Sequence, residues 1–234
     1  MFKIRYIAII IAMLQGLTTF SQQDKVEYLS NFDEKELSFG FYLGLNYNDY
    51  NISYKAPEAF PNAYIETDPQ MGFNIGLISD VRINNNINLR FEPGLMTNSK
   101  KLYFRHIDTK MDSVREASGT FLHLPLLIQL SADRLHNIRP YIVGGLAFDY
   151  NFASNFNNPD DNYSGEFRLQ KNNFMYELGV GMDFYFYYFK FSPSIRGVFA
   201  INNELKNDDN ANSPWTKPVD YFGTRGIFVK FTFQ

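Results

Sequence analysis

The chain has no cysteine, one tryptophan and three histidines. The missing thiols exclude disulfides, cysteine-ligated zinc and thiol catalysis. Charge is also scarce: charged residues are 20 % of the chain and the net charge is −3, which gives no footing for a nucleic-acid partner. Beyond residue 21 there is no apolar run of the length a membrane helix needs. What the chain has in excess is aromatic side chains, with 24 Phe and 16 Tyr making most of an 18 % share. That is high for a water-soluble domain, and it suits a protein that meets a membrane interface at two levels.

The first 21 residues predict an export route. Lys3 and Arg5 are followed by an apolar run from Tyr6 to Leu14, and Thr19-Phe20-Ser21 forms a small-x-small cleavage site. This pattern predicts a secretory signal peptide over 1–21. With no cysteine after the run, a lipid anchor is excluded. The acidic, polar stretch 22–36 is expected in the periplasm ahead of the first strand.

From residue 37 onward the dominant signal has a period of two. Leu37, Phe39, Phe41, Leu43, Leu45 and Tyr47 alternate with Ser38, Gly40, Tyr42, Gly44 and Asn46, a pattern no helix can bury on one face. The same alternation recurs over 71–83, 87 to about 103, 120–131, 139–152, 173–187, 189–201 and 221–234. At Pro125, which has no N–H, a bulge or irregular pairing is expected. The linkers alternate in length. Those near 84–86, 132–138 and 187–188 are short, whereas 49–70, 99–118, 153–172 and 202–220 are long and polar.

Eight such segments, of about the length a tilted spanning strand needs, predict an all-β fold. It is an eight-stranded antiparallel transmembrane β-barrel of outer-membrane type over 37–234, with short periplasmic turns, long outer loops and both mature termini periplasmic. Hydrocarbon cannot hydrogen-bond a backbone, so a spanning sheet must close on itself. A soluble barrel or sandwich shares the alternation with its faces exchanged. Glycine and serine on the polar row, aromatics at the ends of the apolar rows and the long/short linker rhythm favour the membrane form.

By parity, Asp80, Arg82, Arg90, Glu92, Glu177, Asp183, Lys190, Arg196 and Lys230 fall on the inward row. Both signs are present, and an unpaired charge there would be costly, so a structural charge network in the lumen is expected. Eight strands leave room only for side chains, so no open pore is expected. His106, His123 and His136 are far apart, and no metal, cofactor or nucleophile motif accompanies them. His123 alone lies on a strand, with Ser131 as its nearest serine in sequence. The acidic runs Asp160-Asp161 and Asp208-Asp209 read as solvated loop tips. No catalysis, cofactor, metal or small-molecule substrate is expected; the outer-membrane lipid is the expected partner.

Several stretches resemble the PorT family of the type IX secretion system, which is also tied to gliding motility. They are Leu37 to Asn46, Leu89 to Leu95, Phe121 to Leu127, Arg139 to Gly145 and, most specific, Phe189-Lys-Phe-Ser-Pro-Ser-Ile-Arg196. The resemblance implies an integral outer-membrane component needed for protein export, with other components of that system as partners. It brings no catalytic residues. A generic small porin-like barrel with structural, adhesive or ligand-binding loops is the rival reading.

Overall fold

The computed structural model describes residues 26–55, 64–105, 107, 113–117, 119–152, 154, 167–208 and 213–234. The expected signal peptide and the Asp160-Asp161 run lie outside them. The strands are β1 (Leu37–Tyr54), β2 (Ile65–Pro69), β3 (Met71–Arg82), β4 (Ile87–Phe91), β5 (Gly94–Asn98), β6 (Lys100–Phe104), β7 (Val114–Glu116), β8 (Gly119–Ser131), β9 (Ile138–Asn151), β10 (Asn172–Tyr185), β11 (Lys190–Ala200) and β12 (Val219–Phe233).

Nine of these form one antiparallel sheet that closes on itself. β1 pairs with β12 on one side and with β3 on the other, in registers such as Phe41↔Phe233 and Leu37↔Val81. β4 and β5 are one barrel strand interrupted at Glu92-Pro93, so the ring has eight staves. The interruption lies opposite Pro125, where neither proline can donate. The pairing is irregular there but the register does not slip: Phe91↔Leu126 and Gly94↔His123 stay in step. β8 itself runs through Pro125 unbroken.

The outward row is apolar and exposed on every stave, for example Phe39, Leu77, Leu126, Leu146, Leu178, Ile195 and Ile227. The inward row is buried and holds nearly all the barrel's charged side chains, interspersed with apolar ones. A surface of this extent, apolar all round, faces hydrocarbon, not water. At the short-turn end the connections are tight: Asn86 N–H donates to Asn84 Oδ1 at 2.9 Å, and His136 takes a positive φ of 58°.

The lumen is too narrow for a side chain on every inward position. Tyr42 lies across it, and a Cβ added to Gly94 would collide with the Tyr42 hydroxyl and the Ile75 carbonyl. Gly94→Val is therefore expected to lower the urea unfolding midpoint by an amount corresponding to about 1–3 kcal/mol, the usual effect of overpacking. An unchanged midpoint would show that the wall yields there.

β1 is 18 residues long, well beyond the ~9–11 a bilayer needs. Its excess is part of a collar at the long-loop end. β2, β6 and β7 form a separate three-stranded sheet there, with Pro69↔Lys100 and Lys101↔Glu116 in register. The spans expected as long polar loops at 49–70 and 99–118 thus contain strands. The collar has its own apolar core, including Tyr50, Leu102, Phe104, Phe167, Trp215 and Phe222.

Candidate functional site

Alternation forces Asp80, Arg90, Glu92, Glu177, Arg196 and Lys230 to point inward. The closed ring then leaves them no route to water, and all six are at most 2 % exposed. They meet one another. Arg90 clamps Asp80 through Nε at 2.6 Å and Nη2 at 2.8 Å. Its Nη1 lies 3.7 Å from Glu92. Glu92 accepts from Arg196 at 2.7 and 2.8 Å and from Lys230 at 3.0 Å. Arg196 also reaches Glu177 at 3.5 Å. Asp183 and Lys190 form a looser pair nearer the short-turn end, at 3.9 Å, with the Ser192 hydroxyl donating to Asp183 at 2.5 Å. Arg82 turns away to the rim, where it donates to the Glu34 carbonyl at 3.0 Å and to Asn85.

Two members of the chain are absent from the nine expected residues. His123 Nδ1 lies 2.6 Å from Asp149, and its Nε2 lies 2.8 Å from Glu177. Both are on the inward row by the same parity, so the signal was available. A histidine with no nearby metal ligand or nucleophile in sequence gave no reason to include it, and its partner is in register across the sheet (His123↔Asp149). His136 is in a turn, where its carbonyl accepts from Arg134 at 2.5 Å, and His106 is outside the described residues. Asp208 is engaged by the Ser213 and Thr216 hydroxyls, not left free in a loop tip.

Toward the long-loop end, apolar side chains take over most inward positions. Met96, Phe121, Met175, Val198 and Phe228 form a layer with Ala147. The collar core follows. Within it Lys100 Nζ lies 3.6 Å from the centre of the Tyr50 ring, and burial pulls its ammonium down to about 8 although Glu204 and Asp49 oppose that.

The opposite end is closed by the segment before β1, which lies across the mouth. Arg134 donates to the carbonyls of Tyr28 and Leu29 and stacks on Tyr185, 3.7 Å from the ring centre. The Tyr185 hydroxyl donates to Asp33 at 2.6 Å, and Arg139 approaches the same carboxylate at 3.3 Å. Phe32 lies under Lys190, 4.8 Å from its Nζ.

On the collar, Asp49 is the hub of the contact between β1 and β2. It takes hydrogen bonds from the Thr67 hydroxyl, from Arg225 at 2.9 Å and from the Tyr50 N–H at 2.7 Å. Partial burial pushes its carboxyl up, but those hydrogen bonds outweigh it and hold the group below its ordinary 3.8. The stabilisation is fully present above that value and is lost as pH falls through the lower folded value. Amide exchange at Tyr50 and Ile65, whose N–H groups are held across this contact, should therefore accelerate, relative to the barrel staves, only below about pH 3.8, and Asp49→Asn should abolish that pH dependence. Acceleration already at pH 6 would show that Asp49 does not hold the two strands.

A closed ring with an apolar exterior, a charge-filled lumen and a cap at each end defines a small, plugged outer-membrane-type barrel. The chain belongs to the outer membrane protein beta-barrel domain family, whose model matches residues 20–206. Among solved structures it is similar to OprG from Pseudomonas aeruginosa, at 12 % identity and TM-score 0.43 over 84 % of this chain and 93 % of that one. It is also similar to Neisserial surface protein A, at 9 % identity and TM-score 0.45 over 85 % and 98 %. The outer membrane enzyme PagL is matched at 12 % identity and TM-score 0.37 over 81 % and 97 %. No curated protein sequence matches the chain.

Proposed function

We propose that this barrel is a non-catalytic, integral outer-membrane scaffold that serves protein export by the type IX secretion system and the gliding motility linked to it. In this reading a signal peptide at 1–21 is removed, the short turns and both mature termini face the periplasm, and the collar faces outward. The observation that carries the scaffold role is the unbroken run of buried ion pairs from Asp80 to Asp149. Ions or solutes would have to break it to pass. His123 with Asp149 resembles half of a hydrolytic triad, but Nε2, which would take a nucleophile's proton, faces Glu177. That arrangement supports holding the wall together, not turnover.

The export role rests on the resemblance of Phe189 to Arg196 and the other stretches quoted above, and scaffolding by the surfaces outside the bilayer is compatible with it. Deleting the gene should stop release of cargo bearing the C-terminal sorting signal while the envelope stays intact, and the purified chain in planar bilayers should show no steady conductance. Normal cargo release would overturn the export role. A stable open channel would overturn the scaffold role. The collar keeps the rival reading in view, since a folded outer surface also suits a barrel that binds a ligand or adheres. Intact export together with lost surface binding in the deletion strain would favour that rival.

A further inference from the structure

The collar is a ring of main-chain hydrogen bonds with one break among the described residues. Going round it, β2 pairs with β6 and β6 with β7. The Phe167 N–H then donates to the Glu116 carbonyl at 3.1 Å, Leu169 bridges Leu205, and the Glu204 N–H donates to the Phe222 carbonyl at 2.8 Å. β12 pairs with β1 as far as Tyr54↔Val219. The last step back to β2 is missing. The ladder between β1 and β3 ends at Tyr47↔Met71, and above it, among the described residues, β1 is paired only with β12 and β2 only with β6. A cleft of about 290 Å³ lies in this seam, between Tyr50 and Tyr54 on one lip and Tyr64 and Thr67 on the other.

Ladder parity shows what the two lips present. The Arg82 N–H bonds the Glu36 carbonyl, which turns the even-numbered amides of β1 towards β3 and, higher up, towards the seam. The Gln70 N–H bonds the Ser99 carbonyl, which turns the even-numbered amides of β2 towards β6 and the odd ones towards the seam. Side chains stand in for the absent ladder. Asp49 holds the Tyr50 N–H, and the Tyr54 hydroxyl accepts from the Ile65 N–H at 2.9 Å. The amides of Ile52 and Thr67 face the same gap, and Pro69, which has no N–H, occupies the remaining odd position. An edge of this kind is a template for another strand.

We infer that the seam between β1 and β2 is a strand-docking site, where an extended segment of a partner polypeptide pairs with the free edge and completes the collar ring. Asp49 is answered by Arg225, which also lines the cleft, Glu66 by Arg105, and Asp68 stands opposite Lys101, so the lips are close to neutral and the segment that fits is an extended one with uncharged side chains facing the cleft. The site stands independently of the export role, since pairing requires only the backbone edges.

The test uses the full mature chain in nanodiscs and, as probe, a synthetic peptide of alternating threonine and valine with lysine at each end. Amide exchange at Ile52 and Thr67 is followed with and without it. Exchange at one or both should slow by about tenfold or more, while the barrel staves stay unchanged. A copy of the peptide methylated on alternate backbone nitrogens should have no effect. Because the chain has no cysteine, Asp49→Cys with Thr67→Cys gives a switch across side chains already in contact. The oxidised form should not respond to the peptide, and reduction should restore the response. No slowing, equal slowing by the methylated copy, or an undiminished response in the oxidised form would each overturn the inference. So would slowing by a neutral oligosaccharide and not by the peptide, which would make the cleft a glycan site.

Discussion

Glu92→Ala is expected to be among the most damaging single changes in this chain, costing about 3–5 kcal/mol. Glu92 is fully buried and answers Arg196, Lys230 and, more distantly, Arg90. Removing it leaves those cations facing one another in a narrow lumen with no water to take up the charge. Glu92→Gln should cost nearly as much, because an amide keeps the shape without the charge. Adding Lys230→Met to Glu92→Gln should recover part of the loss by withdrawing one unanswered cation. The contrast is Glu66, whose pair with Arg105 is exposed at 48 % and 62 %. Glu66→Ala should cost no more than about 1 kcal/mol. Urea unfolding followed by circular dichroism, or heat-modifiability on gels, would read all four. Equal midpoints for Glu92→Ala and Glu66→Ala would mean the lumen is hydrated enough to treat both alike.

The difference between these two acids also shows how far the sequence could be read. A strict period of two states which residues share a face, and hydrocarbon outside with side chains inside dictates which face that is. The staves were legible for that reason: β3 and β8 begin and end within a residue or two of the alternating segments at 71–83 and 120–131. The collar was not. β2, β6 and β7 have few residues each and are polar on one side. Their apolar core is assembled from Tyr50, Phe104, Phe167, Trp215 and Phe222, which are far apart in the chain, so no local period announces it. The plug was hidden for a similar reason. Nothing in residues 26–36 predicts a partner, because Arg134 and Tyr185 reach it only once the short turns are brought together. Pairing within the lumen depends on register, which parity alone does not set. That is why Arg90 with Glu92 could be placed on one row, whereas the link from Arg196 across to Glu92 could not be assigned.

His123 carries the other large expected effect, and its sign structure is the more informative. Along the connected run, Asp80, Glu92, Glu177 and Asp149 supply four carboxylates, and Arg90, Arg196 and Lys230 supply three permanent cations. The run is neutral only when His123 carries a proton on both ring nitrogens, one toward Asp149 and one toward Glu177. His123→Gln should therefore cost about 3–5 kcal/mol, as breaking a buried pair does, because Asp149 and Glu177 are left repelling each other. Asp149→Asn alone should also destabilise, because the amide oxygen can still accept but the imidazolium is left with one balancing negative charge too few. In the His123→Gln background, however, the same Asp149→Asn change should stabilise, since it removes the surplus negative charge. A double-mutant cycle on unfolding midpoints reads this reversal directly. If the two changes simply added, His123 would be neutral in the folded barrel and the lumen would hold a net negative charge. The wall would then have to admit water or a cation to balance it, and the case for a sealed scaffold would weaken.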